Sequence, residues 1–232
     1  ITYKIEPGIF KRICARAAYA YYRRYGKTSA LEFPDDKNEP DDEIILKRFE
    51  KGEFDEFIDI DYKVERYVLV IDEINRGNVS QIFGELITLI ESDKRLGASE
   101  AIKALLPYSK TSFGVPPNLY IVGTMNTADR SVEALDAALR RRFSFVEKMP
   151  DVTLEELQDQ KVQIGDSAFT LADLLGKLNT RIEKIKDRDH QIGHAYLIKV
   201  KSLTDLRLVF KDKIIPLLQE YFLGDYEKIG LV

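Results

Sequence analysis

The sequence predicts an α/β fold, with a core built on a parallel sheet and a small all-helical unit after it. Three observations lead there. Residues 67–71 and 119–124 are apolar runs rich in β-branched residues, the pattern of strands buried on both faces of a sheet. Between them, Ile82, Phe83, Leu86, Ile87 and Ile90 keep the spacing of one helix face. After Pro150 the texture changes, and apolar positions recur at helical spacing over 171–185 and 206–222. The chain therefore reads as a large α/β unit over residues 1–150 and a helical unit over 151–232.

A chain of 232 residues, 44% of them hydrophobic, holds enough apolar side chain for a substantial core. Charged residues make up 32% and the net charge is -4. That balance argues against a generic cationic coat for nucleic acid, although a local basic patch is compatible with it. The one cysteine, Cys14, cannot close an internal disulfide. It reads as a small buried hydrophobe, and a reducing cytoplasm is the expected compartment. No apolar run reaches the ~18 residues of a membrane-crossing helix, so no membrane association is expected. The chain does not begin with Met, and Ile1 opens no signal-peptide pattern. The start reads as a cut or processed end.

Taken in order, residues 8–25 predict a helix, with Ile9, Ile13, Ala17, Ala20 and Tyr21 on one side, Lys and Arg elsewhere, and Gly26 as its stop. Over about 28–61 acidic residues crowd in around Pro34 and Pro40, which reads as a solvated insertion with a short helix near 44–49. The strand at 67–71 comes next. Asn78 and Gln81 resemble a capping pair for a helix running to about Lys94. Gly97, Pro107, Gly114, Pro116 and Pro117 mark 95–118 as a loop or hairpin excursion. The second strand is next, and then a helix from about Ser131 to the arginines at 140–142.

The chemistry-bearing residues sit where these strands end. Tyr67-Val68-Leu69-Val70-Ile71-Asp72-Glu73 has the form of a Walker B motif. A buried strand holds two carboxylates rigidly at its C-terminal end, where open α/β sheets bind ligands. Asp72 suits a magnesium-bound water and Glu73 suits orienting and deprotonating the attacking water. The plainer alternative is a strand that meets a polar turn. Asn126 ends the second strand, where its amide could reach the attacking water or the γ-phosphate, the role called sensor 1. An Asn there is otherwise a turn former. Arg140-Arg141-Arg142 close a helix whose dipole favours cations at that end. Arg140 or Arg141 could instead be an arginine finger offered to a neighbouring subunit's γ-phosphate. Arg76, just beyond the Walker B strand, is a second candidate for that interface.

Asp72-Glu73-Ile74-Asn75-Arg76, the run Met125-Asn126-Thr127-Ala128-Asp129-Arg130-Ser131, and 139–145 together resemble the McrB family of AAA+ GTPases. Gln191-Ile192-Gly193-His194-Ala195-Tyr196 and 216–222 are similar to that family's helical lid. The resemblance covers most of 65–232. It implies an AAA+ core of the P-loop NTPase type, GTP with Mg²⁺, hexameric rings, stimulation by an McrC-type endonuclease subunit, and DNA bound through a separate upstream domain. It also implies that Asp129 and Arg130 act beside the nucleotide at the subunit edge. A Walker A loop should precede all of this. Gly26-Lys27-Thr28 does not supply it: position 21 is Tyr rather than Gly, a basic helix rather than a buried strand comes before it, and Pro34 interrupts any helix after it. The loop is expected upstream of Ile1, and these 232 residues alone are expected to be inactive. The shared motif logic leaves an ATP-dependent remodeller of the MoxR or chelatase type, and a non-catalytic ring scaffold, as alternatives. His190 and His194 have the i, i+4 spacing of metal ligands, but Gly193 weakens a helix there and no third ligand supports a site.

Overall fold

The computed structural model describes residues 6–25, 40–55, 63–128 and 137–232. The chain divides into two compact units, Ile1–Ser144 and Phe145–Val232, shortly before the proline at which the sequence texture changes. No helix among the described residues is long and apolar enough to cross a membrane.

The first unit is built on helix α1 (Ile9–Tyr25) and helix α2 (Asp42–Glu50). Arg23 and Arg24 lie in the last turn of α1, where the helix dipole favours positive charge. Asp41 caps α2 by accepting from the Glu43 N–H. The two helices pack through Cys14, Ala17, Ala18, Ile45 and Phe49. Ion pairs bind their edges, Arg16 to Asp42 and Lys11 to Glu50, each at 2.5 Å. The described part of the acidic segment is thus no solvated excursion. Its helix is present, but Ile45, Phe49 and Phe54 are buried. Burial also pushes the Cys14 thiol well above its usual pKa.

Strand β1 (Tyr67–Ile71) and strand β4 (Leu119–Gly123) pair in parallel over five positions, from Tyr67 opposite Leu119 to Ile71 opposite Gly123. The connection between them carries the short helix α3 (Val79–Phe83) and the small antiparallel hairpin β2 (Ala104–Leu105) and β3 (Ser112–Phe113). The helix expected to run to Lys94 ends at Phe83. Asn78 caps its start, but Gly84 takes φ 52 and ψ -130 and breaks the ladder, and a 3₁₀ segment and turns follow. Leu89 and Ile90 are buried all the same. Asn118, 6% exposed, donates to the carbonyls of Ala17 and Glu65, both at 2.9 Å, and so ties α1 to the entry of the sheet. The short helix α4 (Ala137–Arg140) lies just ahead of the boundary between the units.

Contrary to what their composition predicts, the strands are not buried on both faces. Leu69 and Leu119 meet the α1–α2 cluster, and Ile71 and Ile121 meet a second cluster formed by Ile74, Val79, Phe83, Ile90 and Leu139. The alternate residues Val68, Val70, Tyr120 and Val122 are 46% to 62% exposed. Side chains alternate across a strand, and among the described residues only one face is covered.

The second unit has a core of its own, with Leu157, Leu171, Leu175, Ile182, Ile192, Leu197 and Ile214 fully buried. Helix α5 (Glu155–Gln158) leads into an antiparallel hairpin, β5 (Lys161–Ile164) with β6 (Ser167–Thr170), an addition to the all-helical unit that the periodicity predicts. Thr170 caps the long helix α6 (Leu171–Ile185), accepting from the Asp173 N–H. Helix α7 (Leu203–Val209) passes through a π turn (Phe210–Ile214) into helix α8 (Ile215–Tyr221). Pro216 cannot donate to the residue four before it, and the ladder widens just ahead of it. Helix α9 (Tyr226–Leu231) ends the chain.

Candidate nucleotide-hydrolysis site

The register of β1 on β4 brings Asp72 and Glu73 beside Thr124. The Thr124 N–H donates to the Ile71 carbonyl at 3.0 Å, and its own carbonyl accepts from the Ile74 N–H at 2.9 Å. Its hydroxyl donates to Asp72 Oδ1 and accepts from the Glu73 N–H at 2.9 Å. One side chain thus holds both carboxylate-bearing residues. Sequence reasoning misses Thr124, although it stands between Gly123 and Asn126 at the end of the second strand. Gly123 sits close against Ile74: a Cβ there would meet it at 3.1 Å, so the Ile74 side chain would have to give by a few tenths of an ångström.

Glu73 adopts φ 50 and ψ 49, a left-handed conformation unusual for a residue with a side chain. Such a conformation costs of order 1–3 kcal/mol and persists only where its surroundings impose it. Here the bonds of Thr124 to Glu73 and Ile74 do so. The turn lifts the Glu73 carboxylate out of the sheet, with its side chain 45% exposed and Oε2 3.0 Å from Arg76 Nε. Arg76, placed by sequence at a subunit interface, therefore pairs with the candidate base of its own chain. Both groups are well exposed, so the pair is weak and readily exchanged.

Asn126 lies close by. Its carbonyl accepts from Asn75 Nδ2 at 3.3 Å, and its side-chain oxygen accepts from the Ala128 N–H at 3.1 Å. Asp72, Glu73, Asn75, Thr124 and Asn126 are thus gathered at one end of the parallel pair. Asp129, Arg130 and the expected start of the arginine-bearing helix lie outside the described residues, as does Gly26-Lys27-Thr28. Helix α4 presents Arg140 and, just past it, Arg141 to solvent. Arg142 turns inward to pair with Glu91 at 2.7 Å, a contact the sequence did not announce.

The carboxylate of Asp72 and the hydroxyl of Thr124 are hard oxygen donors. They suit a Mg²⁺ ion, which keeps most of its waters and binds phosphate oxygens. Among the described residues no group of three or more His, Cys, Asp or Glu side chains forms a metal cage. The two histidines have other work. His190 Nδ1 lies 2.5 Å from Asp187 Oδ1, and its ring meets Tyr221 edge-on. His194 Nδ1 accepts from the Asp151 N–H at 2.9 Å. The Gln191–His194 segment is pinned instead by buried Asn179, which accepts from the Ile192 N–H at 2.7 Å and donates to its carbonyl at 3.0 Å.

Comparison with known proteins shows the family. The family model for the AAA domain of the dynein-related subfamily matches residues 26–143, and the model for the McrB alpha-helical lid domain matches 170–230. The Type IV methyl-directed restriction enzyme EcoKMcrB subunit of Escherichia coli (strain K12) is 38% identical over 176 residues, which make up 69% of this chain and 38% of that protein. The Type II restriction enzyme BsuMI component YdiS of Bacillus subtilis (strain 168) is 26% identical over 204 residues, 80% of this chain and 58% of that protein. The chain thus spans less than two thirds of the length of either relative. With an AAA domain, a helical lid and paired carboxylates at the end of a parallel strand, the chain belongs to the McrB family of AAA+ proteins.

Proposed function

We propose that this chain is the hydrolytic part of a GTP-driven ring motor that moves DNA for a restriction endonuclease. The observation that carries the reading is the Thr124 bridge, which holds Asp72 and the left-handed Glu73 together at the mouth of the parallel pair. Asp72, beside the Thr124 hydroxyl, would hold Mg²⁺ through a water; when bound, the ion neutralises charge on the phosphates. Glu73 accepts the proton of the attacking water. Asn126 orients that water or the γ-phosphate, and Asp129 and Arg130 act beside the nucleotide at the subunit edge. Arg140 or Arg141, both exposed, reaches the γ-phosphate of a neighbouring subunit in a hexamer, with Arg76 a second candidate there. Similarity to a methyl-directed restriction subunit supports an endonuclease partner of the McrC type and DNA bound through a further domain.

The test is steady-state hydrolysis of GTP and ATP by the full-length protein, with and without Glu73→Gln. GTP is expected to have the higher kcat/KM. Glu73→Gln should keep nucleotide affinity and lose about 10²–10⁴ in kcat, the usual contribution of a general base. Near-normal turnover in that variant removes Glu73 from the mechanism, and preference for ATP replaces the GTP motor with an ATP-driven remodeller.

A further inference from the structure

Arg142 differs from the two arginines before it. Arg140 and Arg141 are exposed, whereas the Arg142 side chain is 4% exposed and its Nη2 lies 2.7 Å from Glu91 Oε1. Glu91 comes directly after Ile90, which shares a packed cluster with Ile74, Val79, Phe83 and Leu139, and Phe143 packs against the same cluster. Ile74 is the residue after Glu73. The exposed pair Arg140–Arg141 is therefore held on both sides, by Leu139 before it and by Arg142 and Phe143 after it. The cluster that holds it also contains Ile74. The Glu91 side chain is 28% exposed, and an ion pair that keeps one partner in contact with water is a modest source of stability. A planar guanidinium on a carboxylate does fix direction.

We propose that Arg142 and Glu91 are positioning residues that aim Arg140 and Arg141 outward at a neighbouring subunit's nucleotide. The assignment rests on the ring reading of those two arginines. It makes the third arginine of the run an anchor rather than a finger. It also couples the finger to the segment that comes after the Walker B strand.

The test uses the full-length protein in mixed rings. Arg142→Met is expected to lower kcat about 10- to 100-fold, the scale of a misplaced catalytic contact, with KM close to the starting value. Mixed with Glu73→Gln subunits, Arg142→Met subunits should regain activity, because sites form that pair an intact Glu73 with a neighbour's correctly aimed arginines. The double variant Arg140→Ala, Arg141→Ala should regain activity in the same way. A defect confined to the variant's own site is not repaired by mixing. If Arg142→Met melts early, Glu91→Gln, which keeps the shape and one acceptor, carries the same test. The double reversal Glu91→Arg, Arg142→Glu should turn over faster than either single reversal. Suppose the double variant at 140 and 141 is rescued while folded Arg142→Met or Glu91→Gln rings turn over normally or stay inactive on mixing. The positioning role is then overturned and the ring reading stands. Normal turnover of the double variant at 140 and 141 overturns both.

Discussion

At the scale of single residues, the candidate site is held together by a threonine that carries no charge. Thr124 engages both Asp72 and Glu73 through one hydroxyl, and through its backbone it completes the turn that puts Glu73 in a left-handed conformation. Thr124→Val keeps the volume and removes both side-chain bonds. Each such hydrogen bond contributes about 0.5–1.5 kcal/mol to stability, so losing both should lower the melting temperature by only several degrees and leave the protein folded. Turnover of the full-length protein should fall about tenfold or more as the carboxylates lose their bearing. Thr124→Ser should keep most of the activity. Equal losses in the Ser and Val variants would show that the methyl group, and hence packing, is what matters. The carboxylates themselves were legible in the sequence, because an apolar run ending in Asp-Glu has a physical meaning by itself. Thr124 was not, since a hydroxyl's partners depend on strand register. Nor was the inward turn of Arg142. Three successive arginines at a helix end differ only in the direction each points.

At the scale of elements, periodicity recovered α1, α2, β1, β4 and α6 with nearly their observed bounds, since each has a regular apolar pattern and a cap or a stop. It failed over 84–94, where the apolar spacing continues although the helix does not. Gly84 decides this. Its φ of 52 and ψ of -130 lie where only glycine is comfortable, and an added Cβ would meet nothing within 4 Å. The penalty for Gly84→Ala is therefore backbone strain alone, of order 1–3 kcal/mol. Chemical denaturation should show that loss. An unchanged midpoint would mean that the segment relaxes into a continued helix, as the apolar pattern favours. The open face of β1 and β4 was hidden from the sequence for a different reason. Val68, Val70, Tyr120 and Val122 have the residue types of buried positions, and residue type does not say whether a cover is at hand.

At the scale of the molecule, the two units have separate apolar cores. The second is stitched internally by Asn179 on Ile192 and by the caps of α6 and α7. Residues 145–232, expressed alone, should give a cooperative thermal transition, and Leu175→Ala should lower its stability by about 2–5 kcal/mol, as truncation in a filled core does. A broad, non-cooperative melt would show that this core depends on the rest of the chain. The first unit has a different character. Its carboxylates are organised by a residue 51 and 52 positions further along the chain, across a parallel pair. Closing so long a loop before any bond is gained makes parallel pairing slow. Helices α1, α2 and α6 can form from neighbouring residues, but Glu73 acquires its bearing only when β4 has docked in register. On refolding, the arrangement of Asp72 and Glu73 is thus among the last features to form, after most of the helical signal is already in place.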